Sequence, residues 1–253
     1  MFDVFSTHSI QLLSFLAAVV FIAGCIRGFA GFGAGMFFIP LATSVVSPPI
    51  AAANFLVIDG VVALPLLKNA VRICDWRTVL PAVLGSVLFV HAGAYLLAST
   101  DPLLLRWIIF AIVTSLLLLL ASGWRYQKRP SPPVSFSVGV TSGLLGGMSQ
   151  VSAPPVAAFW LASAKEPAVV RANLIVFFAL AGIGTFIAYA LNDIFTLEVA
   201  QLLVITIPCY AAGLLVGAKG FSASDPKLYK RIAYILIGLS AITSIPLLDP
   251  YLR

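Results

Sequence analysis

Charge is what this 253-residue chain has least of: Asp, Glu, Lys and Arg together make up 9% of it. Hydrophobic residues make up 61% and the mean hydropathy is +1.07. A water-soluble fold of this length could not cover that much apolar surface. Cysteine is scarce too. Cys25, Cys74 and Cys209 are scattered, two of them in apolar stretches, which excludes a disulfide framework or a zinc knuckle. Only His8 and His91 represent histidine, and the chain has no zinc-ligand spacing, nucleotide-binding loop or convincing nucleophile and base pair. The sequence therefore predicts no enzyme, no cofactor and no metal. Gly31-Phe-Gly33-Ala-Gly35 resembles a dinucleotide fingerprint, but it lies in an apolar run with no preceding strand.

What the chain does have is long apolar runs. Polar or Gly/Pro punctuation divides it into ten segments, approximately 9–27, 29–46, 49–68, 77–98, 101–123, 134–148, 151–164, 167–191, 196–218 and 226–248. Most reach the ~20 residues of a spanning helix. The first has an acidic flank and no cleavage site, so it reads as a retained helix within a single transmembrane domain, 1–253. If all ten segments cross, most basic residues fall on one side: Lys68 to Arg77, Arg125 to Arg129, Lys165 and Arg171, and Lys219 to Arg231, with Arg106 and Arg253 the cations of the other. The net charge of +6 then marks a cytoplasmic membrane face rather than a nucleic-acid partner. Both termini are expected outside and the 124–133 connector inside.

The halves repeat. Gly28-Phe-Ala-Gly31 and Pro40 match Gly143-Leu-Leu-Gly146 and Pro155 at an offset of 115. Ala53-Asn54 matches Ala172-Asn173 at 119, and the Asp101-Pro102 helix start matches Asp225-Pro226 at 124. Chance recurrence of Gly and Pro would explain one match more easily than three in order. Five segments per copy force the second copy in upside down. The expected fold is thus an all-α membrane protein of two inverted five-segment repeats, 9–123 and 134–248, with broken or re-entrant helices near the midplane, a transporter architecture.

Breaks at matching places are the best pointer to a binding site, because freed backbone groups in hydrocarbon need protein, water or ligand. They fall at Gly28 to Gly35 and at Gly143 to Pro155. Helices restarting there would aim positively polarised N–H groups at an anion. Gly31, Gly33 and Gly35, with Gly147, Ser149, Gln150 and Ser152, are the candidates, although such glycines also serve close helix packing. Asn54 and Asn173 either bind ligand or join helices. Arg27 and Arg171 either grip an oxyanion or mark the cytoplasmic boundary. Asp59 and His91 lie inside apolar segments, where an ionisable group is costly unless paired or wetted. Asp59 aligns with Phe178 and His91 with Leu215, and such one-sided groups suit coupling to H+ or Na+.

With these residues in hand, the sequence resembles the sulfite exporter TauE/SafE family of permeases, also described as sulfonate uptake permeases. The resemblance rests on GFAGFGAGMFFIPL at 28–41, Ala53-Asn54, GLLGGMSQVSAPP at 143–155, Ala172-Asn173 and the Asp-Pro helix starts. It implies a bacterial inner-membrane carrier of sulfite, sulfonates or related organic anions. Met148-Ser149-Gln150 stands where more glycine is common in the family, which enlarges the polar lining. The expected function is alternating-access transport of a small anion, with an anion or water channel of the same architecture as the alternative. The expected partners are that anion, the bilayer and a coupling H+ or Na+. A homo-oligomer is compatible with the sequence.

Overall fold

The chain's Gly and Pro positions set the lengths of its helices. A computed structural model describes residues 10–42, 45–99, 131–149, 152–163, 165–191 and 194–222, with isolated positions in 104–122 and 225–235. Every regular element among them is an α-helix. These are α1 (Ile10–Ala30), α2 (Ala34–Ala42), α3 (Pro48–Val62), α4 (Leu64–Ile73), α5 (Trp76–Ser99), α6 (Pro132–Ser149), α7 (Ala153–Leu161), α8 (Pro167–Leu191) and α9 (Leu197–Ser222). The segments expected at 101–123 and 226–248, most of the connector and both termini lie outside the described residues.

Among the described residues, α1, α5, α8 and α9 are long and apolar enough to cross a membrane, and α3 with α4 forms a bent fifth candidate. Two of the ten segments, both within the stretches read as broken or re-entrant, hold no helix long enough to span. The segments predicted over 29–46 and 151–164 contain only the nine-residue helices α2 and α7. Nine residues rise about 14 Å, half the ~30 Å of hydrocarbon.

The cause is local. Gly31 and Gly33 take φ of 79° and 89°, a left-handed conformation that glycine adopts without steric cost and that ends α1 before α2 begins. Pro154 and Pro155 start α7, where a missing N–H does no harm. The segment predicted over 49–68 is also divided, with a 61° bend between α3 and α4. Pro65 lies in the first turn of α4; lacking an N–H and crowding the preceding turn, it stops α3 from continuing. α8, which holds the Ala172-Asn173 pair, runs unbroken for 25 residues.

The most extensive pairings are α5 with α6 and α1 with α9. Both are made by glycine. A Cβ on Gly28 would overlap the Leu214 carbonyl oxygen, and one on Gly139 the Ala82 carbonyl oxygen. The backbones are in direct contact, which is how helices gain dispersion energy where lipid is as apolar as they are. One buried cluster holds Phe32, Leu145, Trp160 and Phe177, and a second holds Leu16, Phe38, Ile58 and Tyr210. The two breaks meet between these clusters.

Candidate functional site

Arg27 occupies the last turn of α1, just before the glycine break, and its side chain is 3% exposed. One guanidinium N–H donates to the Gly31 carbonyl oxygen of the break itself. Nε lies 2.7 Å from Asp59 Oδ1 on α3, but its N–H is not aligned with any acceptor, so the contact there is Coulombic. The guanidinium also stands 5.4 Å from the centre of the Phe178 ring, within cation–π range. Asp59 is 17% exposed and its Oδ1 accepts a second contact, 2.6 Å from the donating hydroxyl of Tyr210 on α9. A buried cation, its counter-anion and a phenol thus come from three helices.

Two cavities adjoin this group, one of about 400 Å³ and one of about 50 Å³. They share Arg27, Phe55, Asp59, Ser152 and Phe178. The smaller is walled by Gly33 to Met36 and by Ser152 and Ala153, the N-terminal ends of α2 and α7. Each helix start carries roughly half a positive charge. Arg27 and Asp59 cancel, so the two helix ends leave the small cavity electropositive. The ends differ in kind. Ala34, Gly35 and Met36 all carry N–H groups, whereas Pro154 and Pro155 leave Ala153 as the lone N–H among the first three residues of α7. The second helix supplies field, and the first supplies field and donors.

Arg171 on α8 completes the electrostatics. Its Nε donates to the Phe29 carbonyl oxygen at 3.0 Å and its Nη2 to that of Gly28. These are terminal carbonyls of α1, the negative end of that helix. The ring of Phe221 lies 4.4 Å from the guanidinium carbon. Arg171 therefore neutralises the helix end that would otherwise repel an anion beside Arg27.

The small cavity between the starts of α2 and α7 favours an anion, and comparison with known proteins identifies the family. The family model described as Sulfite exporter TauE/SafE matches residues 16–244. The chain belongs to the sulfite exporter TauE/SafE family. It is 25% identical over 239 residues to the "Probable sulfite/organosulfonate exporter TauE" of Cupriavidus necator, covering 87% of this chain and 89% of that one. No solved structure matches. Membership makes it a transmembrane permease, and the match spans every described helix except the first turns of α1.

The structure sorts the residues singled out in this TauE/SafE sequence. Arg27, Asp59, Gly33, Gly35 and Ser152 line the cavities. Gly31 does not, but its carbonyl holds Arg27, and a Cβ there would come within 2.9 Å of the Arg171 Cγ. Gly147 lines neither cavity. Gln150 and the Ser149 side chain lie outside the described residues. Asn54 and Asn173 are buried and line neither cavity. Asn173 Oδ1 accepts the Asp75 N–H at 2.8 Å, at the start of α5, while its Nδ2 is unpartnered. Both polar atoms of Asn54 are unpartnered. His91 is exposed and lines neither cavity, one position on from the cavity residue Val90.

Tyr210, Ser142 and Ser86 were not singled out by sequence. Ser142 and Ser86 line the larger cavity, and Ser142 Oγ donates to the Ser152 carbonyl oxygen across the second break. The repeat offsets held the signal. At 115, Arg27 aligns with Ser142, and at 124, Ser86 aligns with Tyr210. Ser142 thus lines the larger cavity together with Arg27, whereas Tyr210 lines neither cavity and reaches the site through Asp59.

Proposed function

We propose that this protein is a secondary carrier of small sulfur-containing or organic anions, such as sulfite or sulfonates, that binds them between the two breaks. The observation that carries the reading is the small cavity, where the starts of α2 and α7 converge beside a buried arginine. Its size suits an oxyanion head, and the larger, mainly apolar cavity suits the remainder of an organosulfonate. The printed name of the Cupriavidus necator relative supports this substrate class and favours export.

Alternating access follows if the two halves are inverted copies, a reading supported by the reciprocal pairing of α1 with α9 and of α6 with α5. Coupling to a H+ or Na+ gradient is assigned to Asp59 rather than His91, because Asp59 borders both cavities. The sidedness of Lys and Arg supports a bacterial inner-membrane topology with the 124–133 connector cytoplasmic and both termini outside. Tag accessibility in intact cells tests that topology; cytoplasmic termini would overturn it.

The test of function is counterflow in proteoliposomes. Unlabelled ethanesulfonate inside should drive transient accumulation of labelled ethanesulfonate from outside, which a channel cannot do. Uptake without an overshoot would favour the channel. No uptake at all would remove sulfonates as the substrate class.

A further inference from the structure

Among the described residues Arg27 has one anionic partner, and that partner sits where a substrate would have to come. Asp59 Oδ1 lies against Arg27 Nε at 2.7 Å, and both residues line both cavities. An oxyanion in the small cavity therefore competes with the Asp59 carboxylate for the same guanidinium. Resting on the function proposed above, we infer that Asp59 is an exchangeable counter-anion: substrate takes its place on Arg27, and the released carboxylate takes up one proton.

The surroundings leave Asp59 few alternatives once Arg27 has turned away. Tyr210 Oη on α9 is its other polar contact. α2 and α7 carry no ionisable residue. On α8, Arg171 is held by the Gly28 and Phe29 carbonyls and Tyr189 lies against Phe195. Lys68 and Arg72 on α4, and Arg77, His91 and Tyr95 on α5, are exposed. On α9, Glu198 lies in the first turn, Lys219 in the last, and Cys209 beside Tyr210; on α1, Cys25 lies two residues before Arg27. None of the described charges except Arg27 contacts Asp59. A bound anion beside an ionised Asp59 would be a like-charge pair in a poorly hydrated site, which protonation removes.

The balance is simple. An anion and one proton enter from water, no covalent bond in the anion changes, and the guanidinium moves its contact from carboxylate to substrate. The protonated Asp59 donates to Tyr210 Oη, which turns from donor to acceptor. The site's net charge is the same empty and loaded, so the loaded carrier reorients without moving extra charge through the bilayer. The matching position in the other half is Phe178, which also faces Arg27 but binds no proton. One proton per anion, rather than two, follows from that asymmetry.

Ethanesulfonate is the probe, because its own charge does not titrate near neutral pH and every proton counted belongs to the protein. Calorimetry of the purified protein at pH 7 in phosphate and in Tris reads proton uptake from the difference in heats. The expected result is about one proton per sulfonate and an affinity that falls about tenfold per pH unit. Asp59→Asn should bind ethanesulfonate with no proton uptake and no pH slope, and should exchange it without accumulating it. Wild-type binding without proton uptake overturns the inference and leaves the proposed function standing. Persistence of the slope in Asp59→Asn also overturns it. Absence of ethanesulfonate binding to the wild type overturns the function and the inference together. Because the wild-type slope is read without any variant, a misfolded Asp59→Asn does not weaken the test.

Discussion

Asp59 and Phe178 stand 119 residues apart, the offset that aligns Asn54 with Asn173, and both lie against the guanidinium of Arg27. One half of the chain offers the arginine a carboxylate and the other offers it a ring face. The cavity between them is thus polarised by the different chemistry of these two residues.

Replacing Arg27 by Gln should abolish measurable sulfonate binding. It should also destabilise the protein, by about 3–5 kcal/mol at a pH high enough to keep the freed Asp59 ionised and by less where it is protonated. The double variant Arg27→Gln/Asp59→Asn should recover most of the stability and none of the binding. Thermal unfolding in detergent and calorimetry with ethanesulfonate separate the two effects.

Arg171 should behave differently. Arg171→Ala removes the guanidinium donors to the Gly28 and Phe29 carbonyls, at a cost of about 1–3 kcal/mol, while ethanesulfonate affinity should fall less than tenfold. A loss of binding matching that of Arg27→Gln would show that Arg171 touches the anion itself.

The breaks were legible in the sequence because glycine and proline announce them, and so was the helical class, because continuous apolar runs of about 20 residues fit spanning helices and not the shorter alternating strands of a barrel. Arg27, Asp59, Gly33, Gly35 and Ser152 were legible for the same reason: they are polar or backbone-freeing residues in apolar runs. Tyr210 was not. It sits inside a continuous helix, and its pairing with Asp59 spans 151 residues that only the packing of α9 on α3 brings together. The segments that hold α2 and α7 were legible as short or Gly/Pro-interrupted; what the sequence left open was whether they cross or re-enter. The bend at Ala63 had a signal in Pro65 that the length of the surrounding apolar run obscured.

Gly31→Ala and Gly33→Ala should each cost about 1–3 kcal/mol, since both positions hold positive φ. Gly31→Ala should be the more damaging, because its Cβ also meets the Arg171 side chain. Unfolding midpoints of the two variants, measured side by side, check the order.

Glycines used for packing should be distinguishable from those merely present. A Cβ at Gly143 would overlap the Ser86 carbonyl oxygen, while one at Gly182 would meet nothing within 4 Å. Gly143→Ala should therefore lower stability by separating α6 from α5. Gly182→Ala should be neutral or stabilising by up to ~1 kcal/mol through helix propensity. Equal effects at the two sites, read as unfolding midpoints, would contradict the α5–α6 contact.

The most direct test is to locate a bound sulfonate. In crystals grown with 2-bromoethanesulfonate, the bromine's anomalous peak should fall in the larger cavity, with the sulfonate seated against Arg27 and the first N–H groups of α2. A bromine peak outside both cavities, with Arg27 still paired to Asp59, would contradict the account.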